Sequence, residues 1–244
     1  MLVPMIDARC LKFMNLQDPF YHKQFSKTNP GRLWFTLKAR WMEYSSKCRF
    51  LKCAIPLAAP VSDGIQVPDY PSSDTAVTPP QMRAILQALH ATETVLGVVA
   101  EVGVYRGVTT AILATNTQRS YIAVDPYTGY GGSENDLELM KQRVGRLPNV
   151  THLRMTSGLA VDQLDGAGVS FVFIDAVHDY VNAYFDGFVW GGRLSPGGMI
   201  AFHDTDAINF AGVQCAVWDL LSDTSLGFEL YSHVEGTVIL RKAL

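Results

Sequence analysis

Two short strings in the second half of the chain carry the side chains best suited to acid–base or metal chemistry. One ends a buried apolar stretch with Asp175 and His178, and the other follows a Pro-Gly-Gly turn and contains His203 and Asp204. Carboxylates and imidazoles are the groups that hold divalent cations and transfer protons near neutral pH. A single such residue is more often a structural cap. Four of them at one place would indicate a functional site.

A third string, running from Glu101 to Gly107, has the composition of a ligand-binding turn. It places Gly103 and Gly107 between a predicted strand and a predicted helix. Glycine lets a backbone turn tightly and approach a ligand, and a helix N-terminus offers free N–H groups. The spacing is G-x-x-x-G, not the G-x-G-x-x-G of dinucleotide-binding proteins. Glu101 suits a cationic ligand better than a pyrophosphate, although a plain strand–turn–helix junction would also use two glycines.

Asp125 ends the next apolar segment, after the string that closes at Gly107. An acid at the end of a second strand can accept hydrogen bonds from both hydroxyls of a ribose. A turn-capping role before Pro126 is the alternative for this residue taken alone. With Glu101 nearby in the pattern, Asp125 favours a nucleoside ligand that carries a positive charge.

These side chains must be positioned by the regular alternation of segments that begins at Thr78. Thr78 suits a helix N-cap and Pro79 the first helical position. We predict strands at 95–102, 121–124, 150–154, 169–174 and 199–202, and further helices at 109–115, 135–146, 178–188 and 212–221. Such alternation gives right-handed βαβ units and a parallel sheet, whose strands end at one ligand-binding edge. The two strings with Asp175 and Asp204 should therefore converge there.

The C-terminal tail departs from this alternation. Segments 228–231 and 237–241 are joined by residues 232–236, a connection too short for a crossover helix, so they should pair as an antiparallel hairpin. The predicted fold class is therefore α/β. It is a Rossmann-like, doubly wound, mostly parallel sheet of seven strands with a C-terminal antiparallel hairpin, preceded by a basic, aromatic, helical extension.

The N-terminal part differs from the rest in charge. Residues 1–60 contain ten basic and three acidic side chains, a net charge of +7, whereas the remainder carries −10. Apolar residues at three- and four-residue steps predict an amphipathic helix over 32–51. We divide the chain into an extension at 1–55, a Pro-rich linker or wrapping segment at 56–78 and a main domain at 79–244. The extension could lie against its own acidic domain, a neighbouring subunit, nucleic acid or an anionic membrane, or be a solvated helix.

Composition indicates a globular protein of one main domain. The 244 residues are 48% apolar and 18% charged, which is typical of folded rather than disordered chains. No apolar run approaches the roughly 18 residues of a membrane-spanning helix, and no secretory signal is visible. Four cysteines lack metal-ligand or redox spacing. We read them as reduced thiols and expect a cytoplasmic protein.

The glycine string, Asp125 and the two strand-end strings together resemble the class I S-adenosylmethionine-dependent methyltransferases, over about residues 79–244. The pattern is similar, more narrowly, to the metal-assisted sugar O-methyltransferases of the macrocin type. The resemblance implies S-adenosylmethionine as cofactor, with Mg²⁺ or another divalent metal beside it. The residues it assigns to the cofactor are Glu101, Gly103, Tyr105, Gly107, Asp125, Ser157 and Asp175.

For the second cluster, the resemblance implies a metal held by Asp175, Asp204 and His203, with His178 as the general base. His203 stands where the magnesium-binding members have a carboxylate, and imidazole is a poor ligand for hard Mg²⁺. A softer ion therefore stays open, as does the absence of any metal.

The acceptor implied is a hydroxyl of a small molecule or glycan, and no nucleic-acid substrate is expected. The loop at 127–132 has the composition of a mobile lid, and the N-terminal extension could serve a homo-oligomer. Two other functions stay open. A nicotinamide-dependent oxidoreductase would share the fold class but needs G-x-G-x-x-G, and a non-catalytic binding protein could dispense with His178 and Asp204.

Overall fold

The computed structural model describes residues 30–58, 64–128, 132–164 and 166–244. Its centre is one seven-stranded sheet in the order β3-β2-β1-β4-β5-β7-β6. The strands are β1 (Val98–Val102), β2 (Tyr121–Val124), β3 (Val150–Leu153), β4 (Val169–Ile174), β5 (Leu194–Phe202), β6 (Phe228–Val234) and β7 (Thr237–Lys242). The first five strands pair in parallel, and β7 runs antiparallel to both of its neighbours. The predicted fold class is confirmed.

Helices cover both faces of this sheet, as expected for a doubly wound fold. They are α1 (Pro30–Arg49), α2 (Pro79–Ala91), α3 (Val108–Thr115), α4 (Glu134–Val144), α5 (Ser157–Asp162), α6 (Tyr180–Gly191) and α7 (Ala211–Ser222). Helices α2, α3 and α4 pack on one face of the sheet, while α5, α6 and α7, with Met42 of α1, pack on the other. The sheet is thus buried between two apolar layers.

Helix α2 begins where the sequence predicts. The Thr78 hydroxyl accepts a hydrogen bond from the backbone N–H of Gln81, and the Gln81 side chain accepts one from the backbone N–H of Thr78. This reciprocal capping box satisfies two backbone donors that a helix start leaves unpaired. The sequence predicted the N-cap and Pro79. It did not predict that Gln81 would complete the capping box, nor that the Gln81 side chain would also contact His203.

Three boundaries of the predicted sheet were wrong by three or more residues, the first being the start of β1, which lies at Val98 and not at residue 95. Strand β5 starts at Leu194, which already pairs with β4. A register shift then accommodates the Pro-Gly-Gly turn, and regular pairing with β4 continues after it. The final hairpin turns through only Glu235 and Gly236, with φ of 47° and 76°. Positive φ at both positions is the two-residue turn that matches strand twist. Residues 232–234, which were predicted to belong to the connection, continue β6.

Helix α1 packs against the layer of helices that covers one face of the sheet, in contact with α6 and α7. The guanidinium of Arg49 forms two hydrogen bonds with the Asp219 carboxylate, at 2.6 and 3.1 Å. The Tyr180 hydroxyl donates to the same carboxylate at 2.8 Å. The described part of the basic extension therefore lies against its own acidic domain, one of the arrangements that the charge asymmetry predicts.

Some predictions fall outside the described residues. These are the part of the extension at 1–29, the middle of the predicted lid at 129–131 and a stretch of the Pro-rich segment at 59–63. Within the described ranges, no helix is long and apolar enough to cross a membrane.

Candidate active site

The sheet register brings the predicted residues to one edge. Val102 pairs with Val124 and with Ile174, and Ile174 pairs with Phe202. The residues that follow these positions therefore leave four adjacent strands at the same level. They are Gly103, Asp125, Asp175 and His203.

Gly103 has a backbone that other residues cannot adopt without strain. Its φ is +91°, and a Cβ placed there would lie 1.9 Å from the carbonyl oxygen of Asp175. Its N–H donates to the Val124 carbonyl at 2.9 Å. The glycine thus allows the β1 and β4 ends to approach each other beside the cavity. Gly107, at φ +73°, instead starts α3 and packs near Met140 of α4.

Glu101 is buried at the end of β1 and borders the cavity. Its Oε2 atom accepts hydrogen bonds from the Thr110 hydroxyl at 2.5 Å and the Tyr121 hydroxyl at 2.8 Å. Burial raises the pKa of Glu101 to about 8, although both hydrogen bonds oppose that rise. A buried carboxylate in this state is stabilised by a cationic ligand, as the sequence suggests.

Asp125 organises the glycine turn as well as facing the cavity. Its Oδ2 atom accepts from the backbone N–H groups of Val104 and Tyr105, both at 3.0 Å, and Oδ1 accepts from Tyr127 N–H at 2.9 Å. Tyr105 has φ of 51° and Tyr127 has φ of 49°. The carboxylate therefore holds two non-glycine residues in a left-handed conformation, and its bond to Tyr127 N–H is the turn-capping role before Pro126 that the sequence left open.

Ser157 lies at the start of α5, on the wall of the cavity. Its hydroxyl oxygen accepts a hydrogen bond from the indole N–H of Trp190 at 2.8 Å. The neighbouring Thr156 hydroxyl is buried on the same wall and has no hydrogen-bond partner among the described residues. Thr156 is therefore the hydroxyl better disposed to bind a ligand here, and only its position before a short helix could have signalled it.

Asp175, His178, His203 and Asp204 converge as predicted. His178 Nε2 lies 3.1 Å from Asp175 Oδ1 and 3.0 Å from Asp204 Oδ2. His203 Nδ1 lies 3.5 Å from Asp175 Oδ1 and 3.4 Å from Asp204 Oδ2. Both imidazoles thus face the same pair of carboxylates. Three of the four side chains border the cavity, whereas His203 is behind them and almost fully buried.

The charges of this cluster are mutually dependent. Burial opposes the ionised forms, but the contacts between carboxylates and imidazoles outweigh it. They hold the pKa of Asp175 well below its usual range and lower the pKa of Asp204 to about 2. The same contacts raise the pKa of His178 to about 9 and the pKa of His203 to about 10. Without another cation, the two imidazoles therefore supply the positive charge that the carboxylates need.

This cluster also suits a divalent metal. One ligand atom each from Asp175, His178 and Asp204 lies within 4.8 Å of the others, and His203 Nδ1 borders the same space. Two carboxylates and imidazole nitrogens match the donor preference of first-row transition metals better than that of Mg²⁺. The predicted ligands Asp175 and Asp204 come together, and His203 stands beside them.

The Pro-rich segment, predicted as a linker or wrapping segment, contributes a wall of the cavity. Residues 73–76 border the cavity. Asp74 binds Arg106 at 2.8 Å and also forms a short ion pair with Arg143, and Arg106 Nε binds Asp136 at 2.8 Å. We call residues 72–76 the strap. Asp74 is the single acid of the strap and is surrounded in sequence by small polar residues. Nothing in this pattern predicts that Arg106 and Arg143, both distant in sequence, would bind it.

These features enclose a cavity of about 530 Å³. Eight of the predicted site residues border it, and Gly107 and His203 do not. The eight are Glu101, Gly103, Tyr105, Asp125, Ser157, Asp175, His178 and Asp204.

Comparison with known proteins gives this site a class. Residues 100–205 match the family model described as a methyltransferase domain. No curated protein matches the chain. The matched segment spans both the glycine turn and the Asp204 string, and the sheet has the class I methyltransferase topology. Residues 100–205 are therefore similar to methyltransferase domains and lie on a sheet of the class I methyltransferase fold, which favours methyl transfer over the oxidoreductase alternative.

Solved structures share this fold at low sequence identity. The O-methyltransferase NovP is 16% identical, with a TM-score of 0.54 over 67% of this chain and 80% of that one. An O-methyltransferase from Bacillus cereus in complex with SAH is 14% identical, with a TM-score of 0.53 over 71% and 86%. CalS11, a TDP-rhamnose 3'-O-methyltransferase of calicheamicin biosynthesis, is 15% identical, with a TM-score of 0.52 over 90% and 97%.

Proposed function

We propose that the protein transfers a methyl group from S-adenosylmethionine to a hydroxyl of a sugar or other small molecule, with His178 as base and a divalent cation beside it. The observation that carries this proposal is the shared cavity. The Glu101–Gly103–Asp125 edge and the Asp175–His178–Asp204 cluster border the same space. A methyl donor held at the first would stand beside proton-accepting groups at the second.

The chain's own residues suit the donor. S-adenosylmethionine supplies a methyl group on a positively charged sulfur. Glu101 offers a buried carboxylate near the end of β1, and Gly103, whose missing Cβ allows the close approach of Asp175, borders the cavity beside it. Asp125 borders the cavity for the ribose, and Thr156 and Ser157 border it for the adenine. Placing donor and acceptor in line supplies much of the rate in a displacement of this kind.

His178 is the residue that we assign to remove the hydroxyl proton. Its side chain is 28% exposed and reaches the cavity, while its Nε2 atom contacts both carboxylates. Those contacts favour the protonated ring, which cannot act as a base. If Asp175 and Asp204 held a divalent cation, they would no longer stabilise the protonated ring, and His178 would accept a proton nearer neutral pH. The cation would also acidify a bound hydroxyl.

The acceptor class follows from the enclosure of the site. The strap and Tyr105 both border the cavity, and Tyr105 offers a partly exposed ring. NovP and CalS11 are O-methyltransferases of similar fold, and CalS11 acts on TDP-rhamnose. These parallels support a sugar or similar hydroxyl-bearing acceptor. A cytoplasmic location, the domain boundaries given above and self-association through the extension remain part of the proposal.

The test is a methyl-transfer assay with isotopically labelled S-adenosylmethionine and a panel of sugars, glycosylated compounds and catechols. We expect label in a base-stable methyl ether. His178→Ala should bind S-adenosylhomocysteine as the wild type does and lose roughly 10²–10⁴-fold in turnover. His90→Ala, at an exposed histidine on α2, is the control. Undiminished turnover in His178→Ala would refute the base assignment, and label on nitrogen alone would refute O-methylation.

A further inference from the structure

Gln81 joins the helix cap of α2 to the buried side of the cluster. Its Oε1 atom accepts from the backbone N–H of Thr78 at 2.7 Å and lies 3.1 Å from His203 Nε2. Its Nε2 group donates to the backbone carbonyl of Glu235 through a short hydrogen bond. Two backbone partners therefore fix the orientation of the amide independently of His203.

This orientation determines the role of each nitrogen in the His203 ring. Because the amide presents its oxygen, the His203 Nε2 atom must be the donor of the 3.1 Å hydrogen bond. The remaining nitrogen, Nδ1, faces Asp175 and Asp204. The Phe173 ring packs edge-on against the imidazole, with ring centroids 6.4 Å apart.

The Nδ1 atom lacks a satisfactory partner in this position. It is buried and forms no hydrogen bond with the described residues, although it lies at ion-pair distance, 3.5 and 3.4 Å, from carboxylate oxygens of Asp175 and Asp204. The His203 side chain is only 2% exposed, so water does not readily reach this nitrogen. A buried nitrogen that faces two carboxylates without a hydrogen bond to either is costly, and a cation between the three groups would satisfy all of them.

We propose that Gln81 is a positioning residue that presents His203 Nδ1 as a metal ligand, so that the Asp175–His203–Asp204 site prefers a first-row transition ion over Mg²⁺. This inference rests on the proposed function, and it specifies the metal and the residue that selects it. Imidazole nitrogen adds affinity for ions from Mn²⁺ to Zn²⁺ and little for Mg²⁺. His178, which is more exposed and faces the cavity, stays available as the base.

The experiment measures Co²⁺, Mn²⁺ and Mg²⁺ binding to the full chain by calorimetry, with the visible absorption of Co²⁺ as a second readout. We expect the wild type to bind one Co²⁺ at least about 100-fold more tightly than Mg²⁺. Gln81→Met should weaken Co²⁺ binding about 10–100-fold and leave Mg²⁺ binding nearly unchanged. Gln81→Glu, which keeps an acceptor oxygen toward His203, should retain most of the affinity. His203→Asp should reduce the preference for Co²⁺ over Mg²⁺.

Thr78→Ala is the matched control. It removes the other half of the capping box, including the 3.4 Å hydrogen bond from Gln81 N–H, and leaves the Gln81 oxygen facing His203. Its Co²⁺ affinity should equal that of the wild type. Equal binding of Mg²⁺ and Co²⁺ by the wild type, or unchanged Co²⁺ affinity in Gln81→Met, would overturn the proposal. S-adenosylhomocysteine is titrated into the same samples. If the wild type binds S-adenosylhomocysteine but shows no preference for Co²⁺ over Mg²⁺, only this inference is refuted. If it does not bind S-adenosylhomocysteine, the proposed function is refuted as well.

Discussion

At the scale of single residues, the site depends on backbone positions that the sequence pattern predicts. It also depends on side-chain contacts that the pattern does not predict. Gly103 is needed because its Cβ would overlap the Asp175 carbonyl, which ties the glycine turn to the second cluster. The same carboxylate that was predicted to bind a ribose, Asp125, also holds the turn through three backbone N–H groups. The local geometry and the binding surface are therefore coupled.

Replacing Gly103 with alanine should separate conformational strain from steric overlap. We expect Gly103→Ala to abolish S-adenosylhomocysteine binding and to lower the free energy of unfolding by more than about 1 kcal/mol. Gly166→Ala is the control, because Gly166 has φ of +82° but a Cβ there would meet no atom of the described residues within 4 Å. Chemical denaturation and calorimetry measure both effects. Equal losses in the two variants would contradict the close approach to Asp175.

Glu101 should make ligand affinity depend on pH. Because its pKa is raised to about 8, the free carboxyl is mostly protonated at neutral pH, and a cationic ligand must displace that proton. The affinity for S-adenosylhomocysteine, whose ammonium is positive, should rise about tenfold per pH unit from about pH 6 and level off above about 8. Calorimetric titrations over this range test it. Glu101→Gln should bind weakly and without this dependence, and a flat wild-type profile would argue against the contact.

At the scale of elements, local signals were sufficient where one segment determined its own structure. The alternation of apolar runs predicted the strands of a parallel sheet, and Thr78 with Pro79 marked a helix start. The short helix α5 and the extra length of β5 were missed, since both depend on pairing with segments distant in sequence. Gln81 reads locally as a capping residue, so nothing in the sequence linked it to His203.

The strap shows the same limitation and can be tested as an element. Asp74→Asn removes the carboxylate that Arg106 and Arg143 share. We expect the Kd for S-adenosylhomocysteine to rise several-fold while the melting temperature changes by less than about 2 °C, since partly exposed ion pairs add little stability. Glu138→Gln, in the exposed pair with Lys141 on α4, is the control. A large loss of stability with normal binding would show that the strap is only structural.

At the scale of the whole molecule, the N-terminal helix is joined to the catalytic part by a partly buried network. Asp219 accepts hydrogen bonds from both Arg49 and Tyr180, and the Gln214 side chain donates to the Phe50 carbonyl at 2.6 Å. The charge asymmetry left contact with the chain's own acidic domain as one of several arrangements, and it did not indicate which acid would be used. Which acid pairs with Arg49 depends on how α1 crosses α7, and this crossing cannot be predicted from a single sequence.

Arg49→Ala should therefore destabilise the protein as one cooperative unit. We expect the free energy of unfolding to fall by roughly 1–3 kcal/mol, because the Asp219 carboxylate loses its bidentate partner in a half-buried position. Arg40→Ala, at an exposed position on the same helix, should change it by less than about 0.5 kcal/mol. Denaturant unfolding followed by tryptophan fluorescence provides the comparison. Separate unfolding transitions for α1 and the sheet would contradict this account.

We propose above all that the cavity bordered by Glu101 and Asp175 is a methyl-donor site. The most direct measurement is a calorimetric titration of the wild-type chain with S-adenosylhomocysteine and, separately, with NAD. We predict saturable binding of one S-adenosylhomocysteine per chain and no detectable binding of NAD. Binding of NAD, or failure to bind S-adenosylhomocysteine by a folded sample, would contradict the account.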